Sequence, residues 1–272
     1  MNTEETSSHD DVDLELTHDM FAEPPGFYPA PRTATSETYT LSCGRTLRIN
    51  LVGQNPLWGH YLWNGARRVS AYLEEHPMLV RGQTILELGA GGGLPSLVSA
   101  QLGAACVVMT DYPDADLVQN LARNAQEFKG EAARADALAA TTLIAQGFCW
   151  GTDCEEVLKH LSPQACVAPE SLGFDVVILA DLLFNHSEHA KLLASLQGTL
   201  KKKEHATALV FFTPYRPWLL PQDMAFFDLV RAAGMSVEKV MEEKTERAMF
   251  EEDPGDEELR KTVFGYIVKW NL

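Results

Sequence analysis

Nothing near the start of this chain is apolar enough to be a signal peptide. No run elsewhere approaches the length that crosses a bilayer. Neither secretion nor membrane insertion is predicted, and a cytoplasmic location is expected. Positive charge is also scarce, with 22 Lys and Arg against 38 Asp and Glu and a net charge of −16. That balance disfavours nonspecific binding to nucleic acid or anionic membrane and leaves room for a basic partner. The five cysteines, Cys43, Cys106, Cys149, Cys154 and Cys166, are odd in number, and no pair has zinc-finger spacing. They read as reduced thiols. His186 and His189 suit one face of a helix, but no third ligand stands out, so no metal is expected and both histidines are predicted to face solvent. No Ser–His–Asp or Cys–His arrangement is identifiable, so a protein nucleophile is not indicated.

What is present is a strand–helix alternation in a chain of 272 residues, long enough for one large α/β domain. Residues 1–33 are polar, acidic and proline-containing, and are predicted to form a flexible acidic tail. Residues 34–272 are predicted to form a single domain. Glu37 to Val52 alternates around Cys43-Gly44 and predicts a hairpin extension. Gly59 to His76 has helical spacing. Strands are then predicted near 84–89, 105–110, 143–149, 174–180, 206–212, 235–242 and 262–270. Helices fit near 95–102, 114–127, 153–161, 187–200 and 220–233. The continuous apolar runs at 174–180 and 208–212 predict strands covered on both faces. The fold expected is a doubly wound sheet with helices on both faces. The last two strands are joined by the acidic segment Glu242–Glu258, which has no helical pattern, so an antiparallel return at the sheet edge is expected.

The most informative stretch is Thr84-Ile85-Leu86-Glu87-Leu88-Gly89-Ala90-Gly91-Gly92-Gly93-Leu94-Pro95. A strand breaks into glycines and restarts as a helix. Glycines let a ligand approach the backbone, and the helix start offers unpaired N–H groups. Pro95 fits the first helical turn. A dinucleotide site usually carries a third glycine where Leu94 stands. Glu87 stands two residues before the first glycine, where a sulfonium-bearing amino acid would lie rather than a diphosphate. The next predicted strand ends at Asp111, placed to take the two hydroxyls of a ribose.

Aromatic residues and one acid mark the other strand ends. Trp63 lies in Leu57-Trp58-Gly59-His60-Tyr61-Leu62-Trp63-Asn64, ahead of the first strand of the sheet. Trp150 follows the third strand, where an aromatic can lie against adenine. Asp181 follows Ala180 at the end of the fourth strand, where a carboxylate can orient an amine by accepting its hydrogens or cap the next helix. Phe184, Tyr215 and Trp218 are candidates for the wall of an acceptor pocket, because aromatic faces attract ammonium groups. They are equally candidates for the core.

These segments together resemble the lysine methyltransferase family 16, the seven-stranded protein methyltransferases. The resemblance rests on Leu62-Trp63-Asn64-Gly65-Ala66, the glycine motif, Asp111, Trp150-Gly151 and Ala180-Asp181, in order and spacing. It implies a Rossmann-like S-adenosylmethionine-dependent methyltransferase sheet whose last strand is antiparallel. It implies S-adenosylmethionine contacts at Trp63, Gly89, Ala90, Gly91, Asp111, Trp150 and Ala180, with Asp181 as the catalytic candidate. Many members carry Asp-x-x-Tyr after the fourth strand, whereas this chain has Phe184 and lacks that hydroxyl. Asn55–Asn64 and Thr110–Leu117 look most like a fungal branch of the family. That likeness implies a protein partner, elongation factor 1-alpha, methylated on its N-terminal glycine and adjacent lysine by a monomer. An acidic rim formed by the tail and the Glu242–Glu258 segment would suit so basic a peptide. Two alternatives remain open on the residues alone: a nicotinamide-type small-molecule N-methyltransferase, and a cofactor-binding scaffold without catalysis.

Overall fold

The computed structural model describes residues 33–134, 141–161 and 172–272. The predicted tail, Thr33 apart, and Cys166 lie outside the described residues. The first two strands, β1 (Thr35–Thr40) and β2 (Thr46–Leu51), form the expected antiparallel hairpin. Seven further strands form one sheet: β3 (Thr84–Leu88), β4 (Cys106–Asp111), β5 (Thr142–Gly147), β6 (Val176–Ala180), β7 (Thr207–Phe212), β8 (Met235–Lys244) and β9 (Thr262–Trp270). Their spatial order is β5-β4-β3-β6-β7-β9-β8. The chain runs outward from β3 to β5, returns to β6 on the other side of β3, and runs outward again. The strand order therefore reverses between β3 and β6, and ligands of such sheets bind outside the carboxyl ends at that point. The last strand, β9, is antiparallel to both β7 and β8, as expected from the direct return.

Alternation along each strand divides the core in two. Ile85, Val107, Met109, Ile178 and Phe211 face one way. They pack with α1 (Asn64–Glu75), α2 (Leu94–Gln101), α3 (Ala115–Arg134) and the hairpin. Leu86, Val108, Val177, Leu179 and Phe212 face the other way. They pack with α4 (Glu155–Leu158), α5 (His189–Thr199) and α6 (Leu220–Ala232). Because both faces are covered, β6 and β7 are buried along their whole length.

Three helices depart from the sequence expectation. The first begins at Asn64 rather than Gly59, because Trp58 takes a left-handed φ of 63°. The backbone at Gly59 also passes so close to α3 that a Cβ there would lie 2.5 Å from Leu117 Cδ2. The third continues through Gly130 to Arg134. One glycine is tolerated inside a helix when good helix formers such as Glu131, Ala132 and Ala133 follow. A short helix, α7 (Glu257–Lys261), ends the acidic segment where none was expected. Asp256 caps it, accepting from the Glu258 and Leu259 N–H groups at 2.8 and 3.2 Å. Its acids lie in the first turn and its bases in the last, matching the helix dipole.

At the amino ends of the central strands, Asp175 joins β3 to β6. Its Oδ2 accepts from the Thr84 N–H at 3.0 Å and the Thr84 hydroxyl at 2.8 Å, and its Oδ1 pairs with Lys201. Asp175→Ala leaves a largely buried ammonium and a buried amide without their partner. We expect unfolding stability to fall by about 3 kcal/mol in urea titrations. An unchanged midpoint would show that Lys201 and Thr84 find other partners.

Candidate active site

The turn after β3 lies at the strand-order reversal. Gly89, Gly91 and Gly93 take left-handed φ values of 58°, 54° and 76°, which a side chain would strain. The Ala90 N–H donates to the Thr110 carbonyl at 2.9 Å and ties the turn to β4. At the end of β4, Asp111 Oδ2 accepts from the Gly91 N–H at 2.7 Å, and Oδ1 accepts from the Tyr112 N–H at 2.7 Å. Burial pushes the Asp111 carboxyl up, and the two N–H groups oppose that rise. Each oxygen keeps a further acceptor position, so the half-buried carboxylate can still take two hydroxyl hydrogens. Trp150, three residues beyond β5, closes on the same turn. A Cβ at Gly89 would lie 3.2 Å from Trp150 Cζ2 and 2.5 Å from Leu182 Cδ2. Gly89, Ala90, Gly91, Asp111 and Trp150 thus come together at one sheet edge. They fit a nucleoside: a carboxylate with free acceptor positions, side-chain-free backbone, and an indole close by.

Asp181 occupies the corresponding place after Ala180, the last residue of β6. It takes a left-handed φ of 54°, unusual for a residue with a side chain, and it is 6% exposed. Its Oδ1 accepts from the Thr213 N–H at 2.7 Å, and its Oδ2 accepts from the Gly65 N–H in the first turn of α1. The Tyr215 hydroxyl donates to the same Oδ2 at 3.4 Å and accepts from the Asn64 N–H at 3.1 Å. Gly65 must be glycine here, since a Cβ would lie 2.6 Å from Asp181 Oδ2 and 2.9 Å from the Phe211 carbonyl. Burial pushes the Asp181 carboxyl up to about 7, against the pull of these donors. The carboxylate does not cap the helix after β6, because its bonds go to α1 and to the end of β7.

The aromatic residues sort differently from the expectation. Trp63 lies edge-on to Tyr215, with centroids 5.0 Å apart, and its indole N–H donates to the Trp58 carbonyl at 3.2 Å. Tyr61 and Phe250 complete the group at 5.4 and 5.9 Å from Trp63. Phe184 and Trp218 are exposed, and among the described residues no ring contact links either to Tyr215. The Phe184 carbonyl accepts from Arg216 at 2.7 Å. Trp218 packs over Gly255. The phenol facing Asp181 therefore comes from Tyr215, beyond β7, rather than from the position of Phe184.

Two participants escaped sequence reasoning. Asn124 on α3 is 1% exposed and uses both ends of its amide. Its Nδ2 donates to the Asn50 and Gly92 carbonyls at 2.9 Å each, and its Oδ1 accepts from the Asn50 N–H at 2.9 Å. It ties the hairpin to the glycine turn, and no local pattern marks it. Phe250 could have been noticed as the lone aromatic residue of the acidic segment.

Two expectations are corrected. His189 is buried and bonded to the Leu183 carbonyl at 2.8 Å, and His186 pairs with Asp223 at 2.6 Å, so neither simply faces solvent. His186 lies in the turn just before α5, and His189, the first residue of α5, packs its ring against Phe226 of α6. Glu87, two residues before the first glycine, is buried at 1% exposure. It accepts from the Ser96 N–H at 3.0 Å and from the Ser96 hydroxyl, filling an orphan donor in the first turn of α2.

Burial pushes the Glu87 carboxyl from an ordinary 4.5 up to about 8, with the Ser96 bonds opposing and the Asp111 charge adding to the rise. The folded chain therefore holds a proton that the unfolded chain has released. The stability this contributes is complete below the ordinary value and is lost as pH rises toward 8. We expect the wild-type melting temperature to fall between pH 5 and 8, and Glu87→Gln to flatten that slope. An identical slope in the variant would show that Glu87 ionises normally.

Comparisons with known proteins identify the family. A family model described as lysine methyltransferase matches residues 43–232. The protein N-terminal and lysine N-methyltransferase efm7 of Neurospora crassa is 49% identical over 251 residues, covering 92% of this chain and 87% of its own. The relative of the same name from Emericella nidulans is 45% identical over 262 residues, covering 96% and 97%. Among solved structures, the 16S rRNA N2 G1207 methyltransferase of T. thermophilus in complex with AdoMet and guanosine is 16% identical, with a TM-score of 0.48 over 90% of this chain and 52% of that one. The family model spans β2, the glycine turn, Asp111 and Asp181, the two relatives cover more than nine-tenths of this chain, and the chain belongs to the lysine methyltransferase family.

Proposed function

We propose that this methyltransferase uses S-adenosylmethionine to methylate the N-terminal glycine and the adjacent lysine of elongation factor 1-alpha, acting as a cytoplasmic monomer. The observation that carries the acceptor class is the 49% identity, across 92% of this chain, to a relative named for both protein N-terminal and lysine methylation. The acceptor protein itself rests on the resemblance of Asn55–Asn64 and Thr110–Leu117.

S-adenosylmethionine supplies an activated methyl group on a sulfonium, so the chain need provide no nucleophile. Asp111 would take the two ribose hydroxyls with the acceptor positions that the Gly91 and Tyr112 N–H groups leave open. Gly89 to Gly91 would offer backbone at close approach, Trp150 would lie against the adenine, and Trp63 and Ala180 would add further cofactor contacts. Asp181 acts on the acceptor: it fixes the start of α1 and Tyr215 around the reacting amine and accepts the hydrogens of that amine. Holding the amine in line and excluding water is the larger part of such a reaction. A terminal amine has a pKa near ~8, against ~10.4 for lysine, so more of it is neutral at physiological pH.

The decisive experiment incubates the chain with S-adenosylmethionine and unmethylated elongation factor 1-alpha and weighs the N-terminal peptide. Mass added in whole methyl groups on the first glycine or next lysine is expected. An unchanged peptide, with methyl transferred instead to nicotinamide, would move the acceptor class to small molecules. For the cofactor, Asp111→Ala is expected to weaken S-adenosylmethionine binding tenfold or more by calorimetry, since charge-assisted hydrogen bonds contribute about 1.5–3 kcal/mol. Unchanged affinity would remove the ribose contact from Asp111.

A further inference from the structure

The acidic segment between β8 and α7 sends one ring into the site. Phe250 is half-buried, with its centroid 5.2 Å from Tyr61 and 5.9 Å from both Trp63 and Tyr215. Tyr215 in turn faces Asp181 through its hydroxyl. Phe250 thus stands one ring away from the buried carboxylate, on the side formed by the start of α1 and the end of β7. The glycine turn, Asp111 and Trp150 belong to the ends of β3, β4 and β5 instead.

Phe250 is held from behind. Arg260 of α7 is 5% exposed and donates from Nη1 to the Phe250 carbonyl. Its neighbours Glu257 and Glu258 pair with Lys261 and Lys244 instead, and its buried Nε has no partner among the described residues. A buried guanidinium bonded to a backbone carbonyl rather than a carboxylate is costly. Among the described residues, the one hydrogen bond made by the guanidinium goes to the residue that bears the ring. At the far end of the loop, a Cβ on Gly255 would lie 3.2 Å from Trp218 Cζ3, so the loop is fastened there as well.

We infer that Phe250 is a specificity-determining residue for the acceptor and that Arg260 is the positioning residue that sets it. This rests on the protein-acceptor reading above. A ring fixed beside Tyr215 excludes water from the approach to Asp181. Its face attracts the ammonium form of an incoming amine, and it stays attractive as methyl groups are added. Glu251, Glu252 and Asp253 follow directly and are exposed, so a basic segment entering past Phe250 meets opposite charge.

Steady-state kinetics with the N-terminal peptide of elongation factor 1-alpha, alongside calorimetry with S-adenosylmethionine, test this. Phe250→Ala is expected to raise the acceptor KM about tenfold, with a smaller change in kcat and unchanged S-adenosylmethionine affinity. Phe250→Tyr should restore the wild-type KM. Arg260→Met, which removes the donor, should reproduce the KM rise, and Arg260→Lys, which keeps one, should recover most of it. Combined with Phe250→Ala, Arg260→Met should add nothing, because both act through one ring. If Arg260→Met fails to fold, the two Phe250 variants decide. An unchanged KM in Phe250→Ala, with the wild type active, overturns the inference alone. A matching loss of S-adenosylmethionine affinity overturns it by moving the ring to the cofactor side. Absence of transfer by the wild type overturns the protein-acceptor reading and this inference with it.

Discussion

A single buried carboxylate joins three separate segments where β6 and β7 end. Asp181 sits at the end of a central strand and takes up N–H groups from the start of α1 and from the residue after β7. Those segments are far apart in sequence. Without a shared acceptor, the first turn of α1 would leave a buried donor unpaired, and Trp63 and Tyr215 would have no common reference. The close approach demands glycine at position 65 and a left-handed backbone at Asp181 itself. Strain of this kind persists only where the surroundings over-determine it, which here means two covered strands and a helix.

The glycine turn follows a parallel logic with a different acid. Asp111 is bonded to the backbone of the glycine turn it faces, so the carboxylate and the turn are set by each other. Asn124 then ties that turn to the N-terminal hairpin, and Glu87 fixes the helix that leaves it. Each side of the crevice is thus positioned by a buried polar group whose partners come from separate elements. Such networks specify one arrangement when they are satisfied, since a half-satisfied one leaves buried polar groups exposed to their full desolvation cost.

The fold was largely legible because the signals that set it are local. Continuous apolar runs announced β6 and β7, glycines and Pro95 announced the turn into α2, and alternation announced the hairpin. The departures were equally physical. Trp58 and Gly59 fit a helical pattern but are held out of α1 by contacts with α3 and by a left-handed residue. The helix expected near 114–127 passes through Gly130 and ends at Arg134. The cap at Asp256 was visible and was obscured by the acidic run around it. His186 and His189 depart from the solvent-facing expectation because burial, which decides a polar side chain's partner, is not a property of sequence spacing.

The sequence by itself determined the order of elements, the glycine turn with its following acid, and membership in a methyltransferase family, because each depends on neighbours within a few residues or on similarity along the chain. Only the tertiary structure decided which side chains meet. It joined Asp181 to Gly65 and Thr213, put the Tyr215 phenol where Phe184 supplies none, and carried Phe250 from a distant hairpin onto Trp63. Those meetings depend on strands that pair across as many as 91 residues, as Ile85 does with Val176, and on buried donors finding acceptors wherever the fold brings them.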